Sequence, residues 1–259
     1  MKALFTVFLG STLFALPIGN PVSPMIIQEE SFFAVDAGFY GDYVYNRHMK
    51  TSIGGNNVQT FQIMTNAGYI AAEFWNRVEF FATFGASSIS FYGNSEKLGA
   101  IGYSNSPPNI FTTNDGFSWS VGGNGTVFAM SRYAVGFEGQ YFQTSPDFGK
   151  ITDGWGITAK PNNQKTKYRE WQLGTAIVYY LTPTVFPYIG MSYSRANYDL
   201  FPVTYPDNTK FNDLPNMRNA RAFAYSTGLT LSFYEQLNCT VEGRFAGELG
   251  LYLNGSYRF

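Results

Sequence analysis

The sequence predicts an all-β chain, a closed antiparallel transmembrane up-and-down β-barrel of about ten strands with long extracellular loops. Three observations predict it. The first is alternation at the carboxy terminus. Counting back in twos from Phe259, residues Tyr257, Gly255, Leu253, Leu251 and Leu249 share one face, and Arg258, Ser256, Asn254, Tyr252 and Gly250 share the other. That is the period of a strand with one apolar and one polar side. The second is composition. Charged residues make up 14% of the chain, against about 25% in soluble domains. Aromatics reach 19%, yet no apolar run approaches the roughly 20 residues of a membrane helix. The third is spacing: ten alternating segments are joined by connections that are long and short in turn. Barrels of the outer membrane have even strand numbers, short periplasmic turns and long outer loops. Lipid satisfies no backbone N–H or C=O, so only helices and closed barrels cross it.

Taken in order, Met1 to Ala15 has the layout of a secretory signal peptide, with Lys2, an apolar run from Ala3 to Leu9 and a small residue at Ala15. Residues 16–30 form an extended arm in which Pro17, Pro21 and Pro24 exclude a helix. Residues 31–259 form the barrel. The first strand, Ser31 to Tyr45, turns Phe33, Val35, Phe39 and Tyr43 to lipid and Asp36 and Asp42 inward. A polar loop covers 46–56. The second strand, about 57–71, places Phe61, Ile63, Ala67 and Tyr69 outward and Gln62, Asn66 and Gly68 inward. A tight connection at Ala72–Phe74 leads to the third strand, about 75–91, with Phe80 and Phe84 outward and Arg77 and Glu79 inward.

After a Gly, Asn, Ser and Pro-rich loop at 92–114, the fourth strand (about 115–130) sets Phe117, Trp119 and Val121 against Ser118, Ser120 and Asn124. Ser131 and Arg132 turn into the fifth strand, about 133–144, which faces Glu138 inward. A second long loop spans 145–166. The sixth strand, about 167–181, opposes Trp171, Leu173 and Ile177 to Glu170. Thr182–Thr184 turns into the seventh, about 185–198, where Pro187 points to a bulge because it cannot donate to a ladder. A third long loop, 199–216, precedes the eighth strand, about 217–233, and a final hairpin turns near Ala246–Glu248. A hairpin hidden in 92–114 or 145–166 would raise the count to twelve.

The inward face carries the candidate functional residues: Asp36, Asp42, Arg77, Glu79, Glu138, Glu170, Glu242, Arg244, Glu248 and Arg258. Two readings stay open. The charges pair across a narrow lumen, since charges taken from water need partners, or they line a water path and set its ion preference. Seven acids against three bases favour cations. Ten strands lie near the size at which side chains fill the interior, but Gly190, Ser192 and Ser194 on the seventh strand and Ala222, Ala224, Ser226 and Gly228 on the eighth leave space.

Chemistry has little support. His48 is the only histidine, and no nucleophile elbow, metal-ligand pair or phosphate loop appears, so no enzyme activity, cofactor or metal is expected. A net charge of −1 gives no footprint for nucleic acid.

The two ends carry a family resemblance. Thr240, Val241, Glu242, Arg244, Glu248, Asn254, Arg258 and Phe259 set a pattern, TVE-x-R-x3-E-x5-N-x3-RF, that resembles the end of the chlamydial major outer membrane porins. Leu16 to Pro24, LPIGNPVSP, resembles their mature amino terminus, and Ala37 to Arg47, AGFYGDYVYNR, their first strand. The chain is shorter than typical members and has one cysteine, Cys239, where they have many. The resemblance implies an outer-membrane porin that passes small hydrophilic solutes by diffusion and contributes to envelope structure. Its expected partners are outer-membrane lipid and the barrel-assembly machinery, for which Tyr257 and Phe259 are the candidate signal. The alternative is a plugged structural or adhesin-like barrel. Solute, homo-oligomer and any cross-link through Cys239 stay open.

Overall fold

A computed structural model describes residues 19–22, 32–51, 58, 60–93, 109–152, 158–159, 165–201, 203–204, 210–211, 216–234 and 236–259. The expected signal peptide and most of the arm lie outside them. Ten long strands form the wall: β1 (Phe33–Arg47), β2 (Thr60–Phe74), β3 (Val78–Gly93), β4 (Gly116–Ala129), β5 (Tyr133–Thr144), β6 (Thr166–Tyr179), β7 (Val185–Leu200), β8 (Phe223–Phe233), β9 (Leu237–Phe245) and β10 (Glu248–Arg258). Each pairs antiparallel with its neighbour in sequence, and β10 returns to pair with β1 from Asp36↔Arg258 to Arg47↔Glu248. The barrel is closed and has no edge.

The extra pairing left open for the long loops exists, but only as short strands. Asn109–Thr113 pairs with the end of β3 and with Phe148–Thr152, which in turn pairs with Thr158–Ala159. These short strands extend the wall past the end of β3, and the barrel keeps ten strands. Met49–Thr51 and Met217–Asn219 pair in the same way beside β7.

Alternation places the faces as read for most strands. Phe80, Phe84, Phe117, Phe137, Leu173, Ile189 and Leu249 are exposed on the outside, a belt that water would penalise and lipid accepts. Aromatic pairs border it: Phe32 against Trp75 at 5.3 Å, Tyr133 against Tyr179 at 5.0 Å and Tyr257 against Phe259 at 5.1 Å at the short-turn end. Trp171 against Tyr193 at 5.3 Å borders the other. Cys239 is a free thiol on the outer face beside Val241.

Three expectations are corrected. On β2 the faces are inverted: Phe61, Ile63 and Ala67 are buried inside, while Asn66 and Gly68 are exposed outside. Apolar residues were assigned to lipid, but the loop end of this lumen is itself apolar. Phe61 stacks on Phe91 and Tyr168 there, and Asn66 accepts the Tyr43 hydroxyl on the outer surface at 2.6 Å. Because the side-chain period is two, one misassigned residue inverts the whole strand. Second, the β2–β3 turn lies at Trp75–Arg77, three residues beyond the expected connection. Trp75 and Asn76 both take left-handed backbone (φ 54° and 50°) and Arg77 N donates to Phe74 O at 3.0 Å, a type I′ hairpin turn. Third, Pro187 makes no bulge. Its pairing to β8 is continuous, and the β6 ladder begins only at Tyr188.

The closing strand makes an assembly prediction. Phe259 N donates to Val35 O at 2.9 Å, and the Tyr257 hydroxyl donates to Gln236 at 2.9 Å on the outer face. Deleting Phe259 or introducing Tyr257→Asp is expected to abolish the faster-migrating folded form on a cold denaturing gel. Folded migration by the deletion variant would remove the terminal strand's role as a closure signal.

Candidate functional site

The lumen is the site, and it is filled in layers. At the short-turn end, residues 19–22 of the amino-terminal segment sit inside the barrel. Asn20 Nδ2 donates to Thr230 Oγ1 at 3.1 Å, and Asn20 Oδ1 accepts from Val22 N at 3.1 Å, a local turn of the Asx kind. Val22 is fully buried among Ala134, Ala176, Val178, Phe186 and Tyr188. Pro21 rests on β5 at Gly136, where a Cβ would come within 2.8 Å of Pro21 O.

Next comes a polar layer. Hydroxyls pair from strand to strand, Thr65 with Ser87 and Thr83 with Ser120, both at 2.7 Å, and Gln140 donates to Ser120 at 3.0 Å. Glu79 accepts from Tyr69 at 2.5 Å and from Asn124 at 2.9 Å. Arg258 pairs with Glu73 at 3.1 Å. The Tyr188 hydroxyl donates to Glu242 at 3.0 Å. The Tyr188 ring fills the space over β8 that small residues were expected to leave open, since a Cβ at Gly228 would lie 2.2 Å from its Cζ.

The third layer is a strut of charge. Arg47 on β1 reaches across the lumen to β6, where it pairs with Glu170 at 2.5 Å and donates to the Tyr168 hydroxyl; its Nε donates to Glu248 of β10 at 2.7 Å. Arg244 of β9 pairs with Glu248 at 2.7 Å and with Asp42. A Cβ at position 250 would lie 2.7 Å from the Arg244 guanidinium, so Gly250 makes room for it. Arg47, Glu170 and Glu248 have wholly buried side chains. Four strands intervene around either side of the wall between β1 and β6, so this contact crosses the bore rather than following its surface. Beyond the strut, the loop end is closed by Phe61, Phe91, Phe111, Tyr168, Tyr198 and further apolar side chains, with Phe91 and Phe111 stacked at 4.6 Å.

Of the residues singled out from sequence, Asp36, Asp42, Glu79, Glu138, Glu170, Glu242, Arg244, Glu248 and Arg258 all face the lumen and are buried. Arg77 does not. It is exposed in the periplasmic-type turn, because that turn ends where the third strand was expected to be under way. Sequence reasoning missed Arg47 and Glu73. Arg47 follows an irregularity in the β1–β10 pairing between Val44 and Asn46, which shifts the inward phase by one residue and turns Arg47 inside. Glu73 fell in the misplaced connection; its spacing from Ala67 and Ala71 on β2 is the signal that finds it once the strand's phase is known. His48 lies outside the strands near the loop-end rim. Burial, and then the nearby Arg221 charge, hold its imidazole below the ordinary histidine pKa, so it is neutral at pH 7.

The family described as Chlamydia major outer membrane protein matches residues 51–153. The chain is 23% identical to a major outer membrane porin of Chlamydia psittaci over 387 aligned positions, and 26% identical to one of Chlamydia abortus over 384, covering 100% of this chain and 98% of the relative in both cases. Since 387 positions accommodate only 259 residues here, at least 128 positions of the first relative have no counterpart (387 − 259). Among solved structures, the outer membrane protease OmpT from Escherichia coli is similar with a TM-score of 0.44 at 11% identity, covering 90% of this chain and 99% of that one. With full-length relatives on one side and a closed ten-stranded barrel on the other, the chain is an outer-membrane β-barrel similar along its whole length to the chlamydial major outer membrane porins, and shorter than they are.

Proposed function

We propose that this barrel is a gated porin, passing small hydrophilic solutes when its lumen opens and serving as envelope structure when closed. The observation that carries the reading is the interior itself. Asp36, Asp42, Glu73, Glu79, Glu138, Glu170, Glu242 and Glu248, with Arg47, Arg244 and Arg258, face inward through a barrel wall whose outer face is apolar. Burying charge is costly, and a barrel serving only as scaffold could fill its interior with apolar side chains. Eight acids against three bases favour passage of cations. Passage requires residues 19–22 to leave and the Arg47 strut to break, with the aromatic layer beyond it acting as a hydrophobic constriction of the kind that gates by dewetting. The lumen's acids have no assigned chemistry beyond this, and no enzyme activity is proposed.

The filled lumen favours a second reading, a plugged structural or surface-binding barrel. Planar-bilayer recording on purified, refolded protein decides between them. The porin reading expects discrete conductance steps and a reversal potential displaced toward cations in a salt gradient. Silent bilayers from protein that migrates as folded would leave the structural barrel.

A further inference from the structure

The polar layer contains a chamber that none of the ion pairs fills. Gly19 and Asn20 of the amino-terminal segment line it from the short-turn side. Its volume open to water is about 40 Å³, room for roughly three molecules at 10–15 Å³ each. Among the described residues four carboxylates line it, Asp36, Glu73, Glu79 and Glu138, and no lining residue is Lys or Arg. Arg258 pairs with Glu73; Asp36, Glu79 and Glu138 take no ion pair among the described residues.

A second, independent observation concerns the neutral groups. Asn238 is 4% exposed and lines the chamber, and its side-chain oxygen accepts no hydrogen bond among the described residues. Among the described residues the Oδ1 atoms of Asp36 and Asn124 are likewise without a hydrogen-bond donor, so three acceptors stand against two groups able to donate, Asn254 Nδ2 and the Tyr40 hydroxyl. A buried acceptor left unmatched costs its desolvation, so this excess of acceptors calls for a ligand rich in N–H groups. The walls add π faces: Tyr40 and Tyr252 meet edge to face at 5.4 Å, and Phe81 stacks on Tyr69 at 5.8 Å. Aromatic faces beside carboxylates suit a cation whose charge is spread over several atoms. A metal ion fits less well, because among the described residues no three Asp, Glu, His or Cys side chains converge to hold one.

We propose that this chamber binds the guanidinium or ammonium head group of a small organic cation. As a station on a solute path the assignment rests on the porin reading, but binding itself does not require conduction. The test is isothermal titration of the folded, detergent-solubilised full-length barrel with methylguanidinium chloride, against sodium chloride at the same ionic strength. Saturable binding at one site per barrel is expected for methylguanidinium alone. Glu138→Gln should weaken it about tenfold, the weight of one charge-assisted contact, and Asp36→Asn gives a second variant if the first does not fold. Asp199→Asn, which removes the partner of Arg169 at the far end of β7, should bind as wild type does. No saturable heat, or wild-type affinity in both chamber variants, overturns the proposal. Bilayer recording on the same preparation separates the two readings. Conduction without binding overturns the chamber and leaves the porin; binding in a silent barrel supports the chamber and overturns the porin.

Discussion

Arg47→Met is expected to destabilise the barrel by about 3–5 kcal/mol, the cost of leaving a buried charge without its partner. Arg47 ties β1 to β6 across the bore, through Glu170 and the Tyr168 hydroxyl, while also holding Glu248. Methionine keeps most of the volume and removes the fork of donors. Glu248 retains Arg244 at 2.7 Å, but among the described residues Glu170 keeps only the Tyr168 hydroxyl at 2.5 Å. The loss should therefore fall mainly on Glu170, and adding Glu170→Gln to Arg47→Met should recover a large part of it. Arg47→Lys should lie between, since one ammonium cannot serve two carboxylates and a hydroxyl in the geometry of a guanidinium. Urea unfolding in lipid vesicles, followed by the shift from folded to unfolded gel migration, measures all four proteins. An unchanged midpoint in Arg47→Met would mean that the strut does not form in solution.

Gly136→Leu is expected to expel residues 19–22 from the lumen. A Cβ at position 136 would stand 2.8 Å from Pro21 O and 2.9 Å from its Cβ, and backbone there has no flexible end to yield. The segment is weakly seated to begin with. Burying Val22 contributes about 1.5–3 kcal/mol and the Asn20–Thr230 hydrogen bond about 1 kcal/mol. Ordering four residues costs roughly 1–2 kcal/mol each, so the balance is near zero or negative before the contacts of Pro21 are added. A cysteine introduced as Thr230→Cys, at the seat of Asn20, reports the outcome. With the native glycine it should react slowly with a membrane-impermeant thiol reagent. With Gly136→Leu it should react about a hundredfold faster, as for a site relieved of some 2.7 kcal/mol of protection. Equal rates would show that the segment does not guard this end. The natural thiol, Cys239, faces outward and is replaced by serine in both backgrounds.

The sequence by itself determined the wall of this protein. A period of two, low charge, abundant aromatics and connections of alternating length allow one solution in lipid, because each strand must turn an apolar face outward and pair its backbone on both sides. Glu138, Glu170, Glu242 and Arg244 were placed inside on that ground alone, and all four are there. The interior was another matter. Alternation says which residues face inward but not which meet across the bore, and Arg47–Glu170 joins residues 123 positions apart on opposite walls. Nor does alternation survive a shift in register: the irregularity between Val44 and Asn46 turned Arg47 inward, and a turn three residues later than expected left Arg77 outside. On β2, hydrophobicity pointed to lipid when Phe61 and Ile63 belong to an apolar layer inside the barrel. Small residues such as Gly228 read as empty space, and only the tertiary structure filled that space with the ring of Tyr188 from the neighbouring strand. Facing is a local property of a strand, set by its own period. Whether a lumen is open depends on volumes and charges brought together from every strand at once, and those are decided only when the cylinder closes.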